Sequence, residues 1–316
     1  MRPMDARRHI RVGISGWRYA PWRGVFYPGG LAQRRELEFA SAHFDSIEIN
    51  ASFYALQRPE YYARWYDQTP DDFVFSVKAP RLITHVNRLR DVSVPLGRFF
   101  ASGVLGLGRK LGPLLWQFPP TLAYDESHWS DFLSALPADT VAARDFAHRA
   151  RAEAGPVVPR RRLRHAVEIR HPSFRDEGFI ALLRRHRVAL VVADTAGRWP
   201  YLEDVTADFL YLRLHGDEVL YTSGYTEDAL RRWAARIERW SRGGEPADAV
   251  HASDAGASRR RTRAIYCYFD NDVKVRAPFD ARRLRELLGL PERRWRDEET
   301  EKNPLQDSFL RRPARA

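Results

Sequence analysis

Eight short runs rich in β-branched and aromatic residues recur along this 316-residue chain, and most segments between them carry helical periodicity. The runs are His9–Ser15, Ser46–Asn50, Phe73–Lys78, Gly112–Phe118, His165–Arg170, Val188–Asp194, Phe209–Gly216 and Ala264–Asp272. Between them the spacing predicts helices over Leu31–Phe44, Pro59–Tyr66, Glu177–Arg187, Thr226–Trp240 and Ala281–Leu288. In Thr226–Trp240 the side chains of Leu230, Trp233, Ile237 and Trp240 share one face. The connection Thr195–Asp208 shows little helical pattern. Alternating units of this kind build a parallel sheet with helical crossovers.

Eight such units predict a (β/α)8 TIM barrel over residues 1–290, since such barrels typically take ~250 residues plus insertions. The alternative, an open doubly wound sheet, usually carries a glycine-rich phosphate turn after its first strand. Here that turn reads Ser15-Gly16-Trp17-Arg18. Two stretches look like Arg-rich inserted loops, about 141–164 with Arg160-Arg161-Arg162 and about 241–263 with Arg259-Arg260-Arg261. The charged segment 291–316 reads as a flexible, disordered tail.

Composition narrows the class. A hydrophobic share of 44%, with 12% aromatic residues, excludes a disordered or fibrous chain. The single cysteine, Cys267, excludes an intramolecular disulfide framework and a multi-cysteine zinc site. No apolar run reaches the length of a membrane span, and the charged first ten residues lack an apolar signal core, so a cytoplasmic protein without a membrane partner is expected. The formal charge of +11 suggests an anionic partner such as DNA. All but four of the 52 basic residues are arginines, a bias that base composition can also produce. The excess is peripheral. The stretch 141–164 has seven arginines against two carboxylates, 241–263 has five against three, and the barrel proper is left near neutrality.

The strands share a more informative feature: most end in polar residues on the face opposite their aliphatic side chains. Glu48 and Asn50 oppose Ile47 and Ile49. Lys78 is in phase with Val74 and Ser76, Gln117 opposes Trp116 and Phe118, and Glu168 and Arg170 oppose Val167 and Ile169. Arg213 and His215 oppose Leu212 and Leu214, Asp194 ends its strand in phase with Val192, and Asp270 is in phase with Tyr266 and Tyr268. In a barrel this predicts one polar cavity at the C-terminal mouth, where barrel active sites are assembled. A structural ion-pair network is the plain alternative.

Two loops add to the site. Gly16–Gly30 carries Trp17, Tyr19, Trp22, Phe26 and Tyr27, either a stacking wall for a ligand or a lid packed on itself. Arg81, His85, Arg88 and Arg90 follow Lys78 and suit an anion. Nucleophile elbow, Walker loop and dinucleotide fingerprint are all absent from the sequence. Glu48 and Glu168 could serve a glycosidase. A Mg²⁺ or Mn²⁺ ion could sit among Glu48, Glu168, Asp194, Asp270 and His215, although the neighbouring cations argue against it. Lys78 could form a Schiff base.

These residues also resemble a known family, the YecE-like proteins catalogued as domain of unknown function 72. The matching stretches include Gly13-Ile14-Ser15-Gly16-Trp17, Glu48-Ile49-Asn50, Phe75-Ser76-Val77-Lys78, Gln117-Phe118-Pro119-Pro120, Glu168-Ile169-Arg170-His171-Pro172 and Ala193-Asp194-Thr195. Arg213-Leu214-His215-Gly216 and Asp270-Asn271-Asp272 complete the series, from about Val12 to Leu288. The resemblance implies a TIM barrel of unsettled activity. Such barrels are similar to the xylose-isomerase-like group that includes apurinic-site endonucleases, which suggests a DNA-linked role.

The leading expectation is therefore a phosphorylated or nucleic-acid ligand at the C-terminal face, with hydrolysis of a phosphodiester as the reaction. Lys78, Arg170 and Arg213 hold the anion, Glu168 and Asp194 do acid–base work, and His215 shuttles a proton. Trp17, Glu48, Asn50, His85, Gln117, Asp270 and Asn271 complete the binding set. A lyase or aldolase using Lys78 and a non-catalytic binding protein are the alternatives.

Overall fold

The computed structural model describes residues 9–149, 159–258, 260–293 and 295. Eight parallel strands close into a barrel in chain order: β1 (Ile10–Ser15), β2 (Ser46–Ile49), β3 (Val74–Lys78), β4 (Leu111–Gln117), β5 (His165–Glu168), β6 (Ala189–Asp194), β7 (Phe209–Leu214) and β8 (Ala264–Phe269). Closure is made by β1 against β8, with Ile10 opposite Ile265 and Ile14 opposite Phe269. The fold is a (β/α)8 TIM barrel.

Period two sorts the side chains into two layers. Val12, Ile14, Ile47, Ile49, Val77 and Leu212 point outward into the helical shell. Leu115, Ala166, Ala189, Val191, Tyr211 and Tyr268 fill the interior. The alanines of β5 and β6 leave room there for the large side chains of β7 and β8. At Gly13 an added Cβ would lie 1.8 Å from the Ser46 carbonyl oxygen, so only glycine lets β1 and β2 approach.

Helix Glu227–Ser241 buries Leu230, Trp233, Ile237 and Trp240 as its spacing predicts. No helix is described between β6 and β7, in agreement with the weak pattern there. Helices Ser93–Ala101, Glu126–Ala135 and Thr140–Arg149 go beyond the periodicity signal.

The expected inserted loops and tail take more definite form. The stretch 141–164 does not begin as a loop: Thr140–Arg149 is a helix packed on Ser93–Ala101. Asp139 caps it, its Oδ1 accepting from the backbone N–H groups of Val141 and Ala142 at 3.0 and 2.9 Å. Within 241–263, residues 242–258 and 260–263 are irregular, as expected of a loop, and they are pinned. Glu203 accepts from the Val250 N–H at 2.8 Å and Asp204 from the Ala252 N–H at 2.8 Å. The start of the tail returns to the barrel, where Trp295 is buried with its ring 5.5 Å from Phe39. Otherwise the expected tail lies outside the described residues beyond Arg293. No helix among the described residues is long and apolar enough to cross a membrane.

Candidate functional site

Interior positions near the C-terminal strand ends deliver Ser15, Glu48, Ser76, Lys78, Gln117, Glu168 and Arg213 into the barrel mouth, with Arg170, His215 and Asp270 just beyond the last strand residues. Arg213 is the hub, and it is 1% exposed. Its Nε and Nη2 donate to Glu48 at 3.1 and 2.9 Å, Nη1 donates to Glu168 at 2.7 Å, and Nη2 also reaches Asp270 at 2.7 Å. Glu48 is further held by Ser15 Oγ at 2.8 Å and by the Tyr211 hydroxyl at 2.5 Å. Burial pushes the Glu168 carboxyl up, but the Arg170 and Arg213 charges more than offset it and hold the group ionised.

A second arginine sits nearer the opening. Arg170 Nε donates to Glu168 Oε1 at 2.8 Å, Nη2 donates to the Tyr221 hydroxyl at 3.2 Å, and the guanidinium lies 3.7 Å from the centre of the Trp199 ring. Tyr221 adopts a left-handed backbone, φ 61°, uncommon for a bulky residue. His215 is fully buried, with Nδ1 3.0 Å from Asp270 Oδ2 and Nε2 3.9 Å from Glu168 Oε1. Burial and Arg213 lower its pKa.

Lys78 differs from its neighbours. No carboxylate among the described residues pairs with its ammonium, which lies 4.2 Å from the centre of the Phe53 ring. Burial, then the Arg213 charge, lowers its pKa to about 8. His85, carried on a π-helical turn over Leu82–Val86, faces the same space. Burial and the charges of Lys78, Arg170 and Arg81 lower it to about 4, so the ring is neutral at physiological pH. At the opposite rim Asp272 is raised to about 6, by burial and by Asp270, beside Tyr19. A cleft of about 440 Å³ opens from this rim, lined by Arg18, Tyr19, Asn50, Tyr61, Arg64 and Trp65. The buried Asn50 Oδ1 accepts no hydrogen bond there.

The family described as "Protein of unknown function DUF72" matches residues 11–305. This chain belongs to the DUF72 family. It is similar to UPF0759 protein YecE of Escherichia coli strain K12, with 29% identity over 171 residues, 54% of this chain and 51% of YecE. It is also similar to UPF0759 protein YunF of Bacillus subtilis strain 168, with 32% identity over 116 residues, 35% of this chain and 40% of YunF. The chain thus matches about half the length of YecE and less of YunF. The crystal structure of a DUF72 family protein from Thermotoga maritima superposes with a TM-score of 0.68 at 24% identity, covering 89% of this chain and 99% of that one. One from Enterococcus faecalis gives 0.64 at 15% identity, covering 89% and 96%. These two likenesses concern the fold.

In this DUF72 barrel the mouth brings together Lys78, Glu48, Glu168, Arg170, Arg213, His215 and Asp270, with Asn50, His85 and Gln117 at its edge. Asp194 is not among them. It shares the outward phase of Val192, while the interior phase of β6 is Ala189, Val191 and Ala193. There it accepts from the Tyr225 hydroxyl at 3.1 Å and steadies the loop after β7. Asn271 is fully buried, donating to Ser223 O and Asp280 Oδ2 at 2.9 and 2.8 Å, and is a structural tie. Trp17, 6% exposed, packs edge-on to Trp65 at 5.3 Å, and Trp22, Phe26 and Tyr27 are buried too. Trp22, Phe26 and Tyr27 pack on one another, while Trp17 and Tyr19 line the 440 Å³ cleft.

The hub also revises roles. Arg213 spends four donors on carboxylates and turns Nη1 also towards His215 Nε2 at 3.5 Å, so none is left for a ligand. Because it stands between Glu48 and Glu168, no sugar can enter between them as a glycosidase requires. It likewise separates the carboxylates of the supposed Mg²⁺ or Mn²⁺ set, and no group of three or more His, Cys, Asp or Glu side chains among the described residues converges on a metal position. Sequence reasoning missed Trp199, Tyr221, Phe53 and Tyr211. The first three lie in loops or short helices without a strand's phase to point them inward. Tyr211, in phase with Arg213, was open to the same phase argument.

Proposed function

We propose that this chain binds a small phosphorylated ligand of nucleotide size at the C-terminal mouth and acts on it by proton transfer. The carrying observation is Lys78: in a mouth where Glu48, Glu168, Asp270, Arg170 and Arg213 pair with one another, no carboxylate among the described residues pairs with its ammonium, although Glu48, Glu168 and Asp270 bear on its charge. An anion supplies the missing partner, and His85, Gln117 and the outer edge of Arg170 add donors. The adjoining cleft falls within the usual range of ligand pockets. Its Arg18 and Arg64, with the Tyr61 and Trp65 rings, accommodate the rest of a nucleotide. Asn50 Oδ1 offers an unused acceptor.

Two groups exchange protons near neutrality, Asp272 at about 6 and Lys78 at about 8. Asp272 as base and Lys78 as acid suit hydrolysis of a phosphodiester, with water losing a proton to the first and the leaving oxygen gaining one from the second. Glu168 is held ionised by two arginines, and His215 is fully buried behind Asp270 and Glu168. The expected rate profile is bell-shaped, with limbs near pH 6 and pH 8. Turnover of a chromogenic phosphodiester by the wild type, abolished in Lys78→Met and losing its acid limb in Asp272→Asn, supports the reading. Turnover unchanged in both variants overturns it.

A second reading rests on the same lowered pKa, which leaves an appreciable neutral fraction of Lys78 able to attack a carbonyl. Borohydride reduction in the presence of phosphorylated aldehydes then leaves a mass adduct on Lys78. Its absence across such a panel removes this reading.

A further inference from the structure

The sequence carries two arginine runs about a hundred residues apart, Arg160-Arg161-Arg162 and Arg259-Arg260-Arg261, and the mouth uses neither. The structure brings members of both to one place. A groove of about 210 Å³ is lined by Arg162, Arg184, Arg187, Asp208, Ser258 and Arg260. Through Arg162 and Arg187 it continues into a larger one of about 800 Å³ that adds Arg160, Arg185 and His186. These residues immediately precede β5, β6, β7 and β8, so the groove runs across the N-terminal face, opposite the mouth.

Its charge is one-sided. Six arginines face two carboxylates, Asp139 and Asp208, which pair with Arg160 at 2.7 Å and Arg162 at 2.5 Å. Arg185, Arg187 and Arg260 are exposed and have no ion-pair partner among the described residues. Arg187 ends the helix Glu177–His186 in the left-handed conformation, φ 55°, where glycine or asparagine is the low-energy choice. A long cation is kept there against that cost.

We propose that this groove docks the phosphate backbone of duplex nucleic acid. Guanidinium forks match phosphate oxygens, and a row of them along a groove follows a regularly spaced polyanion. No exposed Phe, Tyr or Trp ring among the described residues lines the groove, so unpaired bases find little stacking surface and a single strand fits less well. Among the described residues no exposed large apolar side chain lines it either, and an anionic membrane surface would call for such side chains to insert. The groove is independent of the mouth and of the ligand assigned to it.

The test is fluorescence anisotropy of a labelled DNA duplex of about 20 base pairs with the full chain, between about 50 and 200 mM salt. The variant is R185Q/R187N/R260Q, whose surface substitutions, with asparagine placed at the left-handed position it tolerates, leave the barrel folded by circular dichroism. Wild type is expected to bind and to weaken steeply with salt. The triple variant is expected to bind at least about tenfold more weakly, with a log–log salt slope smaller by about 2 to 3. The proposal is overturned if the wild type does not bind the duplex or if the triple variant matches it in affinity and slope. Tighter binding to phosphatidylserine vesicles than to duplex overturns it in favour of a membrane. Loss of duplex binding in Lys78→Met alone overturns it by moving the contact to the mouth.

Discussion

The chemistry of this barrel turns on two cations that burial treats differently. Arg213 is enclosed and fully paired, and breaking a buried network of this kind leaves uncompensated charge. Arg213→Met is expected to cost about 3–5 kcal/mol in denaturant unfolding, because Glu48, Glu168 and Asp270 lose their shared partner. A cost below about 1 kcal/mol contradicts the hub. Lys78 is partly buried and unpaired, with a folded-state pKa of about 8 against an ordinary 10.5. The unfolded chain therefore binds more protons between those values, and this residue makes stability rise with pH across that window. Below pH 8 the folded state carries the full penalty of an unpaired cation. Lys78→Met is accordingly expected to stabilise the fold at pH 7 by about 1–3 kcal/mol, with the gain fading towards pH 10. Equal stability of the two proteins at pH 7 would show that Lys78 is not strained.

Among the elements, the strands were the legible part. Each of the eight runs became a strand within a few residues, because alternation in a barrel strand separates a helix-facing side from an interior side. The same alternation placed Glu48, Lys78, Glu168, Arg213 and Asp270 inward. At Asp194 it had to be followed strictly: in phase with Val192 means outward. The helix Thr140–Arg149 was hidden by composition, since an arginine- and alanine-rich stretch reads as solvated even when Ala143 and Ala147 face a neighbouring helix. Asp139→Ala removes its cap and the Arg160 pair, and is expected to cost about 1 kcal/mol in thermal unfolding. No change in midpoint would mean that the helix does not need its cap. The loops were illegible for a different reason. Trp199 and Tyr221 meet Arg170 only through tertiary approach, and no local spacing encodes that.

On the scale of the whole molecule, charge and site are divided between opposite faces. The near-neutral barrel builds a mouth in which pairing is almost complete, while the arginine excess of the two inserted stretches contributes to a groove at the other end. Closure of the barrel holds the two apart, and Gly13 is a sensitive point in it. Gly13→Ala drives a methyl group into the Ser46 carbonyl and is expected to destabilise by more than about 3 kcal/mol, seen as loss of folded protein on expression or a lowered denaturant midpoint. Wild-type stability in that variant would contradict the β1–β2 spacing. The central claim is that Lys78 awaits an anion. Calorimetric titration of inorganic pyrophosphate and of a nucleoside 5′-monophosphate into wild type and Lys78→Met tests it most directly. The account predicts binding to the wild type that weakens about tenfold or more in a variant that is itself well folded. Equal affinity in the two proteins, or no binding of either probe to the wild type, would contradict it.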